Sequence, residues 1–200
     1  MSALEAITHI KERLARNNYF PGTSGNLGIR IDDQHLYVTT SSVDKYETTD
    51  TSFVKVDMNG KAVDTDLTPS LETVLHLEIF RRSNAKASIH IHTVSNNVIS
   101  ELYHSAGAVE FSNQELIKAF GLWQESDVLR IPIIENPTDV KKLAERFGEH
   151  VTADSGVVLI RNHGINAWGK STQEAYKLFE AAEFLFQYHL QLASARQYIK

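Results

Sequence analysis

The residues best suited to chemistry lie in one short stretch, Ala87-Ser88-Ile89-His90-Ile91-His92-Thr93. A strand turns alternate side chains to opposite faces, so residues two apart share a face. Ile89 and Ile91 then enter a core, and His90 and His92 stand side by side on the other face. Two imidazoles a strand step apart can hold one divalent ion. A metal that does chemistry takes three protein ligands and keeps a position open. The best third ligand is His163, in Arg161-Asn162-His163-Gly164, directly after the apolar run Gly156-Val157-Val158-Leu159-Ile160. A histidine at a strand end, beside a glycine, can reach across to a neighbouring strand. His9, His35, His76, His104, His150 and His189 show no comparable pairing and are expected to be solvated or packed. Alone, His-x-His is a short motif with many chance matches; the surrounding chain has to add to it.

Composition narrows the class. The chain has 200 residues, enough for one domain spanning 1–200 with a sizeable core. Hydrophobic residues at 42% and charged residues at 22% are ordinary for a globular fold. A formal charge of -5 provides no basic field for nucleic acid. The absence of cysteine excludes disulfides, thiolate metal sites and a sulfur nucleophile, and it suits a cytoplasmic protein. No apolar run approaches a membrane span, and the N-terminal residues lack a signal-peptide apolar region, so no membrane partner is expected.

The elements that must position these residues can be read in order. Leu4, Ile7, Ile10 and Leu14 recur at helical spacing, which predicts an amphipathic helix over 2–17, broken by Pro21-Gly22. Strands are expected at 27–31 and 35–40, joined by Asp32-Asp33. They bring two loops of small residues, Thr23-Ser24-Gly25-Asn26-Leu27-Gly28 and Thr39-Thr40-Ser41-Ser42, to one end of a sheet. Backbone N–H groups and hydroxyls in such loops suit an acceptor-only anion such as phosphate, although each loop alone is also an ordinary turn. Asn59-Gly60 marks a hairpin between 53–57 and 61–63. Thr68-Pro69-Ser70 is expected to open a helix to about Arg82, with Glu72 in its first turn. There Glu72 either complements the helix dipole or faces the metal. Further helices are expected over 95–103, from the segment Phe111–Lys118 with Glu115 near the N-terminus, and from Asn136-Pro137-Thr138 to about His150. Strands are expected at 130–134, 156–160 and 165–168. Ser171-Thr172-Gln173-Glu174 matches a capping box and opens a long helix. Its broad apolar surface is expected to pack on the sheet and on another subunit. This mixture predicts a three-layer α/β/α sandwich around a mainly antiparallel central sheet.

Five motifs in this order resemble the class II aldolase/adducin family over nearly the whole chain: Ser24-Gly25-Asn26, Thr40-Ser41-Ser42, Thr68-Pro69-Ser70, His90-Ile91-His92 and Asn162-His163-Gly164. The resemblance implies that His90, His92 and His163 bind a catalytic metal, usually Zn2+, with Fe2+, Mn2+ or Co2+ as alternatives. It implies that Asn26, Ser41, Ser42 and Ser70 hold the phosphate of a sugar-phosphate substrate, and that the chain assembles as a homotetramer. Asn113-Gln114-Glu115-Leu116-Ile117-Lys118, Ile131-Pro132-Ile133-Ile134-Glu135-Asn136 and Ala167-Trp168-Gly169 are similar to the methylthioribulose-1-phosphate dehydratase branch of methionine salvage. That branch implies Glu115 as the acid/base residue. Phe120 and Trp123, close to Glu115 in sequence, are candidates for a pocket around an apolar methylthio tail, and equally for core. Glu72 stands at the position of the catalytic glutamate in the fuculose-phosphate aldolase branch, so a sugar-phosphate aldolase or epimerase is the alternative.

Overall fold

The strand predicted around the histidine pair forms the middle of the sheet. The computed structural model describes residues 1–198; the last two residues of the expected 1–200 span lie outside them. Eight strands form one sheet: β1 Asn26–Arg30, β2 His35–Thr39, β3 Phe53–Asp57, β4 Ala87–Ile91, β5 Ala108–Ser112, β6 Val128–Ile134, β7 Gly156–Ile160 and β8 Gly164–Gly169. Their order is β3-β2-β1-β4-β8-β7-β6-β5. Every pairing is antiparallel except β6 with β7. β4 is central, so it carries apolar or internally bonded side chains on both faces and is buried throughout.

Among the described residues, five α-helices cover the two faces: α1 Ala3–Arg16, α2 Thr73–Arg82, α3 Val94–Tyr103, α4 Val140–Gly148 and α5 Thr172–Arg196. Ile7, Ile10 and Leu14 of α1, Ile99 of α3 and the apolar stripe of α5 join Ile89 and Ile91 in one core. Leu75, Ile79 and Phe80 of α2 and Leu143 and Phe147 of α4 fill the other. The expected three-layer sandwich around a mainly antiparallel sheet is therefore the fold. No helix among the described residues is long and apolar enough to cross a membrane.

Local details depart from the periodic pattern where backbone groups find other partners. Thr68-Pro69-Ser70 does not open α2, which starts at Thr73. The segment instead runs along the end of β2: Ser41 N–H donates to the Thr68 carbonyl at 2.8 Å, Ser70 N–H donates to Thr39 at 3.1 Å, and Pro69 bridges Thr40. Glu72 thus occupies the N-cap position rather than the first turn, and its side chain caps nothing. Glu115 begins a 3-10 helix, Glu115–Phe120, not an α-helix, and Gly121 closes it at φ 79°. At Asn59-Gly60 the Asp57 carboxylate accepts from the Asn59 and Lys61 N–H groups, and the second arm keeps a single bridge, Val56 to Ala62. Ser171 caps α5 as expected, but Glu174 turns back to the Lys170 N–H at 2.7 Å.

The register places the candidate residues at the two ends of the sheet. Asn26 lies opposite His90, and His90 opposite Asn166. The C-terminal end of β4 therefore meets the N-terminal ends of β1 and β8 and, through Ile160 and Ile134, the C-terminal ends of β7 and β6. The three small-residue loops open at this end too. β5 runs back the other way, pairing Ser112 with Val128, the first residue of β6. Glu115 follows it and so belongs to the opposite end of the sheet.

Candidate metal centre

His92 follows the last residue of β4, and Thr93 caps α3: its hydroxyl accepts from Asn96 N–H at 3.0 Å while Asn96 accepts from Thr93 N–H at 3.2 Å. The buried Glu183 of α5 accepts from the Thr93 hydroxyl at 2.9 Å and from the Ser95 hydroxyl, fixing this corner from the neighbouring helix of the same layer. His163 sits in the tight β7–β8 turn, where Asn162 adopts φ 50° and Asn97 donates to the His163 carbonyl at 3.0 Å. Gly164 permits the approach, because a Cβ there would stand 2.5 Å from the Ile91 carbonyl oxygen and 2.6 Å from the His92 ring.

The three imidazoles converge as the spacing predicts. His92 Nε2 lies 2.8 Å from His90 Nε2, which lies 3.3 Å from His163 Nε2. Glu72 joins them: Oε1 is 2.6 Å from His163 Nε2 and Oε2 is 3.5 Å from His90 Nε2. One ligand atom from each of these four residues lies within 4.8 Å of the others. The donor set fits a divalent ion. Zn–N bonds of about 2.0–2.1 Å in a tetrahedron put ligand nitrogens roughly 3.3 Å apart, close to the separations seen. His90 Nδ1 donates to the Ile165 carbonyl at 3.1 Å, which leaves Nε2 as the free lone pair. Burial drives the His90 pKa well below its ordinary value and, aided by His163, brings His92 down to about 4. Neutral imidazole is the form that binds metal. Burial alone would raise Glu72, but its hydrogen bond to His163 and the neighbouring imidazoles outweigh burial and hold it well below the carboxylate range.

Behind the cluster runs a buried chain that periodicity did not reveal. Glu72 Oε2 accepts from Asn26 Nδ2 at 2.6 Å, Asn26 Oδ1 meets His76 Nε2 at 2.6 Å, and His76 Nδ1 meets Ser88 Oγ at 2.8 Å. His76 must therefore carry its proton on Nε2, with Ser88 donating to Nδ1. Gly28 makes room for the ring, since a Cβ there would lie 2.9 Å from His76 Cγ. The available signal was helical spacing: His76 follows Glu72 by four residues, hence shares its face. Burial holds the His76 pKa near 4 against an ordinary 6.5. Between those values the unfolded chain binds the proton and the folded chain does not. Stability contributed by this residue is thus present above about pH 6.5 and is lost as pH falls toward about 4, by up to about 3 kcal/mol. Urea unfolding at neutral and mildly acidic pH should show the loss, and His76→Gln should reduce it; an unchanged pH dependence in the variant would contradict this account.

The expected phosphate residues also meet at this end. Asn26 is buried, and its amide bonds Glu72 and His76, which leaves one N–H hydrogen free. Ser41 Oγ and Ser42 Oγ lie 3.4 Å apart, and Ser70 Oγ accepts from Glu72 N–H at 3.4 Å. Glu115 does not join them. Its exposed carboxylate pairs with Lys118 at 2.8 Å, beside Ile117, Leu122 and the exposed Trp123 in a shallow groove at the other end of the sheet.

Fold and site together define a class: residues 5–190 match the class II aldolase and adducin N-terminal domain, and the chain belongs to that family. Its fold is shared with L-fuculose-1-phosphate aldolase from Thermus thermophilus, with a TM-score of 0.77, 22% identity and coverage of 98% of this chain and 97% of that one. Within the family, the chain is 50% identical to methylthioribulose-1-phosphate dehydratase of Geobacillus sp. (strain WCH70), over 96% of this chain and 91% of that protein. It is 48% identical to methylthioribulose-1-phosphate dehydratase of Bacillus subtilis (strain 168), over 93% and 91% respectively.

Proposed function

We infer that this chain is a hydro-lyase of methionine salvage that converts 5-methylthioribulose 1-phosphate to 2,3-diketo-5-methylthiopentyl 1-phosphate and water. The observation that carries this is near-full-length identity of about half to dehydratases of that name. The setting is the cytoplasm. His90, His92 and His163 would hold the ion, Zn2+ first and Fe2+, Mn2+ or Co2+ as alternatives, with Glu72 completing the set. When bound, the ion supplies a Lewis acid beside the C2 carbonyl and the C3 hydroxyl.

The remaining steps belong to side chains. Asn26, Ser41, Ser42 and Ser70 receive the phosphate and set the sugar's direction. The C3 proton must leave, and the departing C4 hydroxyl must gain one. Glu72 Oε2 accepts from Asn26 and Oε1 lies among the histidine nitrogens, so this carboxylate holds and orients. Glu115 is assigned the proton transfers, taking the C3 proton and returning it to the C4 oxygen. The enol left by water loss tautomerises to the diketone.

The strand register gives this assignment a consequence. β6 has seven residues and separates the two sheet ends by about 20 Å. Glu115 can then serve only the metal centre of another copy. A homotetramer would provide such a neighbour, and the surface suits one. Val94, Val98 and Leu102 form an exposed apolar stripe along α3, and Leu71 beside Glu72 is 82% exposed. Trp123, in the Glu115 groove, would enter with it and cover the methylthio tail.

The second reading, a sugar-phosphate aldolase, is favoured by one observation, the Glu72 carboxylate inside the histidine cluster. Product identity separates the two. Metal-loaded protein with 5-methylthioribulose 1-phosphate should yield the five-carbon diketone phosphate. A three-carbon phosphate with a two-carbon methylthio aldehyde would instead establish aldol cleavage and end the dehydratase reading.

A further inference from the structure

The connection between β2 and β3 carries Ser41 and Ser42 and, three residues later, Lys45. Lys45 is only 7% exposed. Its ammonium donates to the carbonyl of Thr23, in the loop that leads into Asn26. It therefore joins two of the loops that flank the metal centre. Among the described residues it forms no ion pair with a carboxylate, yet it is near enough for its charge to act on Glu72 and His92. An ammonium has three hydrogens to donate, and among the described residues one acceptor, the Thr23 carbonyl, meets it. Burying a cation without a counter-charge is costly, and buried charges are normally paired. Lys11 offers the contrast. It is also buried, but it bonds both the Glu47 carbonyl and, at 3.3 Å, the Thr48 hydroxyl, tying the far part of the same connection to α1.

We propose that Lys45 is the charged member of the phosphate site: its ammonium pairs with the phosphate of the ketose phosphate, while the hydroxyls of Ser41, Ser42 and Ser70 and the Asn26 amide supply neutral donors. This rests on the phosphate site assigned above. Such a pairing explains how loops without arginine accept a dianion, and why a lysine is buried between them. It also makes Lys45 a specificity residue, because it contributes to binding only when the substrate carries the phosphate. Burial lowers its pKa, though the nearby Asp44 and Glu72 oppose the shift and favour the charged form.

The test uses metal-loaded protein, with inorganic phosphate as a competitive inhibitor and both 5-methylthioribulose 1-phosphate and its dephosphorylated form as substrates. Lys45→Gln keeps a donor for the Thr23 carbonyl and removes the charge; Lys45→Arg keeps the charge. In Lys45→Gln, KM for the phosphorylated substrate and the inhibition constant of phosphate should both rise roughly ten- to hundredfold, the range for a hydrogen bond to a charged group. kcat should change far less, and the rate on the dephosphorylated form should fall far less than the rate on the phosphorylated one. Lys45→Arg should recover most of the loss. Equal losses on both substrates would show that Lys45 only supports the loops, and unchanged phosphate inhibition in Lys45→Gln would remove it from the site; either result overturns the proposal. If phosphate fails to inhibit the wild type itself, the phosphate site is wrong and Lys45 falls with it.

Discussion

Metal-loaded Glu115→Gln should keep its fold and its ion and lose turnover by about 10²–10⁴, the usual range for a proton-transfer residue. Glutamine preserves shape and hydrogen bonding but cannot carry the proton. The sharper expectation concerns mixtures. His90→Ala lacks a metal centre but retains Glu115, and Glu115→Gln has the reverse defect. Because the antiparallel return of β5 sends Glu115 away from the histidines of its own chain, each variant holds what the other lacks. Unfolding and refolding them together in equal amounts should restore about a quarter of wild-type activity, since half the histidine sets meet half the glutamates in a symmetric oligomer. Light scattering should give a tetramer mass for the mixture and for wild type. Mixed oligomers with no recovered activity would rule out transfer between subunits. A near-normal Glu115→Gln alongside an inactive Glu72→Gln would move the proton transfers to Glu72.

The second large effect is loss of the ion. His163→Ala removes a ring nitrogen 3.3 Å from His90 Nε2 and frees the Glu72 oxygen that it bonded. Bound metal and activity should both disappear, and added metal should not restore them. Glu72→Gln should be milder. The three histidines remain, so metal affinity should fall, but less than in His163→Ala, and saturating metal should return most of the turnover. Elemental analysis after dialysis distinguishes the cases. Full metal content in His163→Ala would refute the centre, and a metal-saturated but inactive Glu72→Gln would assign Glu72 a chemical role.

Much of this molecule is local enough to be legible in one dimension. Side chains alternate along a strand, so Ile89 and Ile91 had to part from His90, whatever the rest of the chain did. Helical periodicity located α1, and the Ser171 cap located the start of α5. His163 was legible because a histidine beside a glycine, after an apolar strand, has few ways to turn. Other features depended on contacts between distant segments. Pro69 looked like the start of a helix until the end of β2 took the backbone bonds of its neighbours, which moved Glu72 to the N-cap and turned it onto the histidines. His76 looked like one of several solvated or packed histidines, and only the crossing of α2 over β1 made it the anchor of Asn26. Lys45 carried no signal, since a lone lysine in a polar loop is ordinarily solvated; folding buried it between two loops. The separation of Glu115 from the metal centre lay equally out of reach. Motif order along a chain preserves no strand direction, and a single antiparallel return, β5 against β6, decides which end of the sheet a residue occupies.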